Sequence, residues 1–124
     1  MTNRPVLPSK RAYRWWLITG AYAVLIAALA VLPPAPGISV GRLDKVAHLC
    51  EYAIFAWCLR HSARLSSFSR LSSWLLAFGL AAIYGVLLEG VQGRLGYRSA
   101  EWGDAAANAV GAALGTWMQG RAHT

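Results

Sequence analysis

The sequence has little charge, and very little of it is negative. Charged residues make up 14% of the 124 positions and hydrophobic residues 56%, and five acidic side chains stand against twelve lysine and arginine residues. In a chain of one domain's length, this composition is typical of a membrane protein. The net charge of +7 would favour nucleic-acid binding in a soluble protein. Here the cations flank apolar runs, as they do at the ends of membrane-spanning helices, so we expect no nucleic-acid partner.

Cysteine is also scarce, and its spacing excludes a bridge within the chain. Cys50 and Cys58 lie on one apolar run. On a helix with a rise of 1.5 Å per residue they would stand about 12 Å apart, beyond the roughly 7 Å that a disulfide tolerates between Cα atoms. We interpret both as small packing residues.

Four apolar segments predict an all-α fold, a polytopic bundle of four transmembrane helices within a domain spanning residues 15–119. Runs of about 18 residues are long enough to cross a hydrocarbon core of roughly 30 Å when their flanks are counted. The predicted helices cover 15–32, 44–61, 74–91 and 101–119. A basic cytoplasmic tail, residues 1–14, precedes them, and a short tail, residues 120–124, follows.

Two alternatives stay open for these segments. The first segment ends in the small-x-small pattern Ala28-Leu29-Ala30, which is also typical of a cleaved signal peptide, although its apolar run exceeds the usual core of about 7 to 15 residues. The segment 44–61 would suit an amphipathic soluble helix, but its second half has no polar face. We therefore favour spanning helices in both places.

The distribution of lysine and arginine predicts the orientation. Four of these residues lie in the N-terminal tail, three between positions 60 and 73 and one in the C-terminal tail, whereas four lie on the opposite side. The positive-inside rule then places both termini in the cytoplasm and the protein in the cell (inner) membrane. With that topology all five acidic residues fall in the outer half of the bilayer.

Polar residues inside the predicted spans are few and grouped. Charged side chains in a bilayer cost about 2.5 to 3.5 kcal/mol each on insertion scales, so they usually face a bundle interior or a wet cavity. On a helix, Asp44, His48, Glu51 and Tyr52 would share one stripe. The fourth segment carries Gly111 and Gly115, a spacing that predicts close packing between helices, with this helix at the bundle centre.

Three short patterns resemble the VanZ-like membrane proteins over about residues 15–118. They are Asp44-Lys45-x-x-His48 with Tyr52, then Glu89-x-x-Gln92, then Arg98 followed by Asp104-x-x-x-Asn108-x-x-Gly111. Ala56 stands where that family often has glycine, which bears on packing and not on chemistry. The resemblance implies a small multi-pass protein, linked in some members to resistance against teicoplanin-type glycopeptides. It also implies a relation, proposed for the family, to enzymes that exchange lipid head groups.

Head-group exchange needs a base, an acid and groups that hold phosphate. We predict His48 as the base, oriented by Asp44, with Glu89 and Asp104 sharing proton transfer. Substrate binding is predicted for the remaining polar residues, with Arg98 and Lys45 on phosphate. These binding residues are Lys45, Tyr52, Gln92, Arg98, Glu101 and Asn108. We expect His48, Glu89, Arg98 and Asp104 to meet in one outward-opening pocket.

Other interpretations of the same residues stay open. Arg98 with Asp104 or Glu101 would also serve as a structural ion pair, because buried charges need partners. No cofactor is expected. A divalent metal held by His48 and three acids is an alternative, although no pair has a spacing diagnostic for zinc. Two functional classes follow: an enzyme acting on membrane lipids or lipid-linked envelope precursors at the outer leaflet, or a non-enzymatic protein whose polar cluster binds a head group or holds the fold.

Overall fold

The computed structural model describes residues 7–32, 41–95 and 102–121, and in these ranges it contains helices and no strand. The four helices are α1 (Lys10–Val31), α2 (Gly41–Leu65), α3 (Arg70–Arg94) and α4 (Trp102–Arg121). The all-α prediction is therefore confirmed.

Serine caps carry two helices beyond the apolar runs that predicted them. The Ser9 side chain accepts a hydrogen bond from the backbone N–H of Ala12, so α1 begins at Lys10 and includes residues assigned above to the N-terminal tail. In the same way Ser69 accepts from the N–H of Ser72 and starts α3. Such caps satisfy backbone donors that the first turn of a helix leaves open. Hydropathy alone does not report them.

Helices α2 and α3 each pack against all three of the others, and α2 has the more extensive contacts and is the central helix. The prediction that the fourth helix lies at the centre is wrong, because α4 packs against α2 and α3 and, within the described residues, not against α1. Two different sides of α2 are needed for these contacts. Leu49 and Ala53 face α4, whereas Ser62, on the other side of the helix, forms a hydrogen bond with Thr19 of α1.

Small residues bring α2 and α4 into backbone contact. A Cβ atom at Gly111 would overlap the carbonyl oxygen of Leu49, and one at Gly115 would overlap that of Ala53. The contacts follow the same order along both helices, so α2 and α4 run in parallel. Close packing on these glycines is what their spacing predicted.

An apolar and aromatic layer closes the middle of the bundle. Its buried members are Ile26, Tyr52, Phe55, Ala56, Leu59, Ala77, Ala81 and Ala112. Two tyrosine hydroxyls at this level tie α1 to its neighbours: Tyr22 donates to the carbonyl of Glu51, and Tyr84 donates to the carbonyl of Ala23. The layer separates a polar group of residues at one end of the bundle from a second group at the other.

The outer surfaces of α1 and α3 are apolar, and both helices are long and apolar enough to cross a membrane. In their most apolar stretches only 11% and 22% of the residues are buried inside the protein. The exposed positions include Val24 on α1 and Val86 on α3. Apolar surface of this extent is costly in water and suits contact with lipid.

Candidate functional site

A cavity of about 140 Å³ lies at the end of the bundle where α1 and α3 finish and α2 and α4 begin. All four helices contribute to its wall. The apolar part comes mainly from α1, through Ile26, Leu29 and Ala30. The polar part consists of six side chains: His48, Glu51, Tyr52, Glu89, Gln92 and Asn108.

Helical spacing explains why these side chains meet. On α2, His48, Glu51 and Tyr52 are separated by three and four positions and so lie on one face. Glu89 and Gln92 repeat the three-residue step at the end of α3. Because α2 and α3 are antiparallel neighbours, the start of one lies beside the end of the other. The polar stripe of α2 therefore faces the polar pair of α3 across the cavity.

Most of the polar wall is buried. The exposed fraction is 2% for Tyr52, 8% for Glu89, 5% for Gln92 and 3% for Asn108, whereas His48 and Glu51 are half-buried. Gln92 donates from Nε2 to the carbonyl of Ala30 at 3.2 Å, which ties the end of α3 to the end of α1. This hydrogen bond from Gln92 fixes the position of α1 at the cavity.

Asn108 differs from Gln92 in its bonding. Its Oδ1 atom is buried and accepts no hydrogen bond from any residue in the described ranges. Gly85 makes room for this side chain, since a Cβ there would lie 3.2 Å from Asn108 Nδ2 and 3.1 Å from Tyr52 Cε1. A buried amide oxygen without a hydrogen-bond donor is costly. A bound molecule that donates a hydrogen bond to Asn108 Oδ1 would therefore stabilise this site.

An ion pair lies one helical turn from the cavity. Lys45 Nζ is 3.7 Å from Asp104 Oδ1 and joins the first turns of α2 and α4. The Lys45 side chain is 47% exposed and that of Asp104 only 9%, so the lysine is accessible from outside the bundle whereas the aspartate is buried in it. Gly103 leaves space for the lysine side chain, because a Cβ there would lie 2.9 Å from Lys45 Cε. Neither member of the pair lines the cavity.

The structure therefore places the predicted site residues in three groups. The cavity brings together His48, Tyr52, Glu89, Gln92 and Asn108. The ion pair of Lys45 and Asp104 lies beside it. Arg98 and Glu101 lie outside the described residues, and the same holds for the side chain of Asp44, although its backbone belongs to α2. The meeting of His48 and Glu89 at one cavity is observed, whereas Asp104 is next to that cavity and not in its wall.

Glu51 is a cavity residue to which the sequence analysis gave no role. Its position three residues after His48 and one before Tyr52, on the polar stripe of α2, was the signal that could have found it. With Glu51 included, the described wall holds two carboxylates and no lysine or arginine. No three histidine, cysteine or acidic side chains in the described part of the chain are arranged to hold a metal ion.

A second polar group at the opposite end of the bundle was missed because Arg60 was considered only as one of the positive charges that set the orientation. Arg60 is 8% exposed, and its guanidinium donates to the Thr116 carbonyl at 2.7 Å and to Ser73 Oγ and the Arg70 carbonyl, each at 3.3 Å. These acceptors are neutral and belong to α3 and α4. Arg60 therefore joins the ends of three helices, an arrangement called the Arg60 lock below. Gly120 leaves space for the guanidinium and was the one residue in the sequence that indicated this contact.

His61 belongs to the same end. It lies between two tryptophans, with ring centroids 4.5 Å from Trp15 and 4.8 Å from Trp57. Gln119 Nε2 is 3.3 Å from its Nδ1 atom. This histidine is packed and internally bonded, in contrast with His48, which faces a cavity.

No known protein family, no curated protein and no solved structure matches this chain. The resemblance to VanZ-like proteins stays a sequence-based hypothesis, and the case for function depends on the cavity.

Proposed function

We propose that this chain is a multi-pass protein of the cell (inner) membrane, with four spanning helices and both termini in the cytoplasm. The apolar outer surfaces of α1 and α3 support it, and α2 and α4 lie alongside these helices. The start of α1 and the end of α4 lie at the end of the bundle that holds Arg60, whereas the cavity lies at the other end. In this topology the cavity is in the outer half of the bilayer, near the depth of lipid head groups.

At that depth the protein acts on the head groups of lipids or of lipid-linked envelope precursors. The observation that carries this proposal is the meeting of six polar side chains from three helices at one cavity, in a protein whose α1 and α3 helices have apolar outer surfaces. Polar and ionisable groups inside a membrane domain are expensive and are usually kept for function. The six side chains include groups that accept protons, groups that donate them and amides that form hydrogen bonds.

Exchange of a head group would use these residues as follows. The oxygen of an incoming hydroxyl forms a bond to phosphorus while the bond from phosphorus to the leaving oxygen breaks. His48 takes the proton of the incoming hydroxyl and returns it to the leaving oxygen, and Glu89 on the same cavity wall shares this proton transfer. Lys45, half-exposed one turn outside the cavity, holds the phosphate oxygens and is itself held by Asp104.

The remaining predicted residues have supporting roles in this proposal. Tyr52, Gln92 and Asn108 position the polar head group from the cavity wall. Orientation of His48 by Asp44, and phosphate or head-group contacts from Arg98 and Glu101, stay as the sequence predicts them.

A non-enzymatic protein is the second candidate, and two contacts favour it. The ion pair of Lys45 with Asp104 and the bond from Gln92 to Ala30 are complete without any ligand. Polar residues that bond to one another hold the helices together whether or not the protein catalyses a reaction. In this case the cavity would bind a head group or only stabilise the bundle.

Head-group composition of membranes from cells with and without the protein tests the proposal. We expect a changed head-group profile with the wild-type chain and none with His48→Gln at normal membrane abundance. The matched control is His61→Gln, the same substitution at the packed histidine of the other end. It should alter abundance and profile together, if it alters either. Tolerance to a teicoplanin-type glycopeptide, the phenotype that the resemblance implies, is measured in the same strains.

Two results would contradict the enzyme. One is an unchanged head-group profile when the wild-type protein accumulates. The other is a parallel fall in abundance and phenotype for His48→Gln, which would assign the polar cluster to the fold and favour the second candidate.

A further inference from the structure

The charge of the cavity limits what it can bind. Glu51 and Glu89 bring two carboxylates to its wall, and no lysine or arginine lines it in the described part of the chain. Carboxylates at the wall of a cavity favour a cationic group over an anionic one. The phosphate of a lipid therefore belongs outside the cavity, near Lys45, and the cavity itself is suited to a positive group.

A second, independent observation specifies the kind of cation. Asn108 is 3% exposed, lines the cavity, and presents a buried Oδ1 that no described residue supplies with a donor. An ammonium group has three N–H donors and no acceptor. Two carboxylates and one amide oxygen are three acceptors. A trimethylated ammonium has no N–H group and would leave the asparagine oxygen unsatisfied.

The volume sets the size of the ligand. At about 140 Å³ the cavity is close to the roughly 150 Å³ engineered cavity that holds one benzene molecule. A group of about six non-hydrogen atoms fills such a space. An aminoethanol or amino-acid head group meets this limit, whereas a sugar does not.

We propose that the cavity binds the ammonium end of a small primary-amine head group, with the phosphate outside it beside Lys45. This inference rests on the proposed function only for the assignment of the ligand to a lipid. The charge, the unsatisfied amide oxygen and the volume apply equally to a free amine. Held in this way, an aminoethanol molecule would direct its hydroxyl towards the rim of the cavity.

Thermal unfolding of the purified full-length protein in detergent tests the inference with ligands matched in size. Ethanolamine, ethylene glycol and glycolate differ mainly in charge, and choline differs from ethanolamine by losing its N–H donors. We expect ethanolamine alone to raise the melting temperature in a saturable way, as ligands that bind the folded state do. Short-chain phosphatidylethanolamine and phosphatidylglycerol form a second pair of ligands that separates a lipid-borne amine from a free one.

Two variants test the assigned contacts. Asn108→Leu removes the amide oxygen, and Glu51→Gln removes one carboxylate at a half-buried position. Each should weaken the ethanolamine response about tenfold, the effect expected for one hydrogen bond to a charged group. The matched control is Gln119→Leu. Gln119 is also a fully buried amide whose oxygen has no donor among the described residues, but it lies at the opposite end. It should lower the melting temperature without changing the concentration of ethanolamine needed for half the shift.

The outcomes separate this inference from the proposed function. An equal shift with ethylene glycol or glycolate, an equal shift with choline, or an unaltered response in both Asn108→Leu and Glu51→Gln overturns the amine site. A selective ethanolamine response in a protein that leaves membrane head groups unchanged supports the amine site and refutes head-group exchange. A changed head-group profile without any amine response overturns the amine site alone.

Discussion

Single residues set how closely the helices of this bundle approach. Gly111 and Gly115 leave no space for a side chain between α4 and the backbone of α2, whereas Gly79 on α3 has no described atom within 4 Å of where a Cβ would stand. The same residue type therefore has a packing role in one place and none in the other. Sequence spacing distinguished the α4 pair, because small residues four apart are typical of helix contacts in membranes.

Gly115→Ala should destabilise the protein, since the added methyl group meets the Ala53 backbone, which cannot move aside as a flexible side chain can. Overpacking of this kind costs about 1 to 3 kcal/mol. Gly79→Ala should be neutral or stabilising by up to about 1 kcal/mol, because alanine favours helix more than glycine does. Thermal unfolding in detergent measures both. Equal sensitivity at the two positions would remove the argument for a backbone contact between α2 and α4.

At the scale of the helices, Arg60 joins three elements through one side chain. It belongs to α2 and donates to carbonyls of α3 and α4 and to a serine of α3. A lysine carries the same charge but lacks the planar fork that reaches several acceptors at once. Arg64, one turn further on, makes one exposed bond to the Phe68 carbonyl and provides a comparison within the same helix.

Arg60→Lys should lower the free energy of unfolding by about 1 to 3 kcal/mol, because at least one buried acceptor loses its charged donor. Arg64→Lys should change it by less than about 0.5 kcal/mol, as substitutions at exposed positions usually do. Chemical denaturation of both variants in the same detergent compares them directly. A neutral Arg60→Lys would show that the Arg60 lock is not a source of stability.

The four helices could be predicted from the sequence because each contains a long apolar run, and the cavity partners His48, Glu89 and Asn108 could be singled out because polar groups in such runs are costly. Three features could not be predicted. Ser9 and Ser69 extend helices through hydrogen bonds that hydropathy does not measure. The central position of α2 depends on burial on two of its sides, and the displacement of Asp104 from the cavity depends on its pairing with Lys45.

At the scale of the whole molecule, chemistry on outer-leaflet head groups requires the cavity to open on the side of the membrane opposite the termini. Apolar surface on α1 and α3 shows two helices that are able to span. Four spans follow only if α2 and α4, which carry the polar wall, cross together with them. That arrangement is a prediction about topology and is tested separately from any activity.

Reporter fusions at Ser39 and Thr124 should report opposite sides, with Ser39 outside and Thr124 in the cytoplasm. The reason is the excess of lysine and arginine on the side of the termini. Analysis of the N-terminus of the mature protein is the companion measurement. Reports from the same side would refute the number of spans, and a mature chain that begins near Val31 would identify α1 as a cleaved signal peptide.

Transfer of label in reconstituted vesicles measures whether this cavity presents a head group for chemistry. Purified protein is placed in phosphatidylglycerol vesicles with isotopically labelled ethanolamine, and labelled phospholipid is measured over time. We expect label in the lipid with the wild-type chain and none with His48→Gln, whose folding is checked by its melting temperature. A folded wild-type protein that responds to ethanolamine and transfers no label into any phospholipid offered would refute head-group exchange.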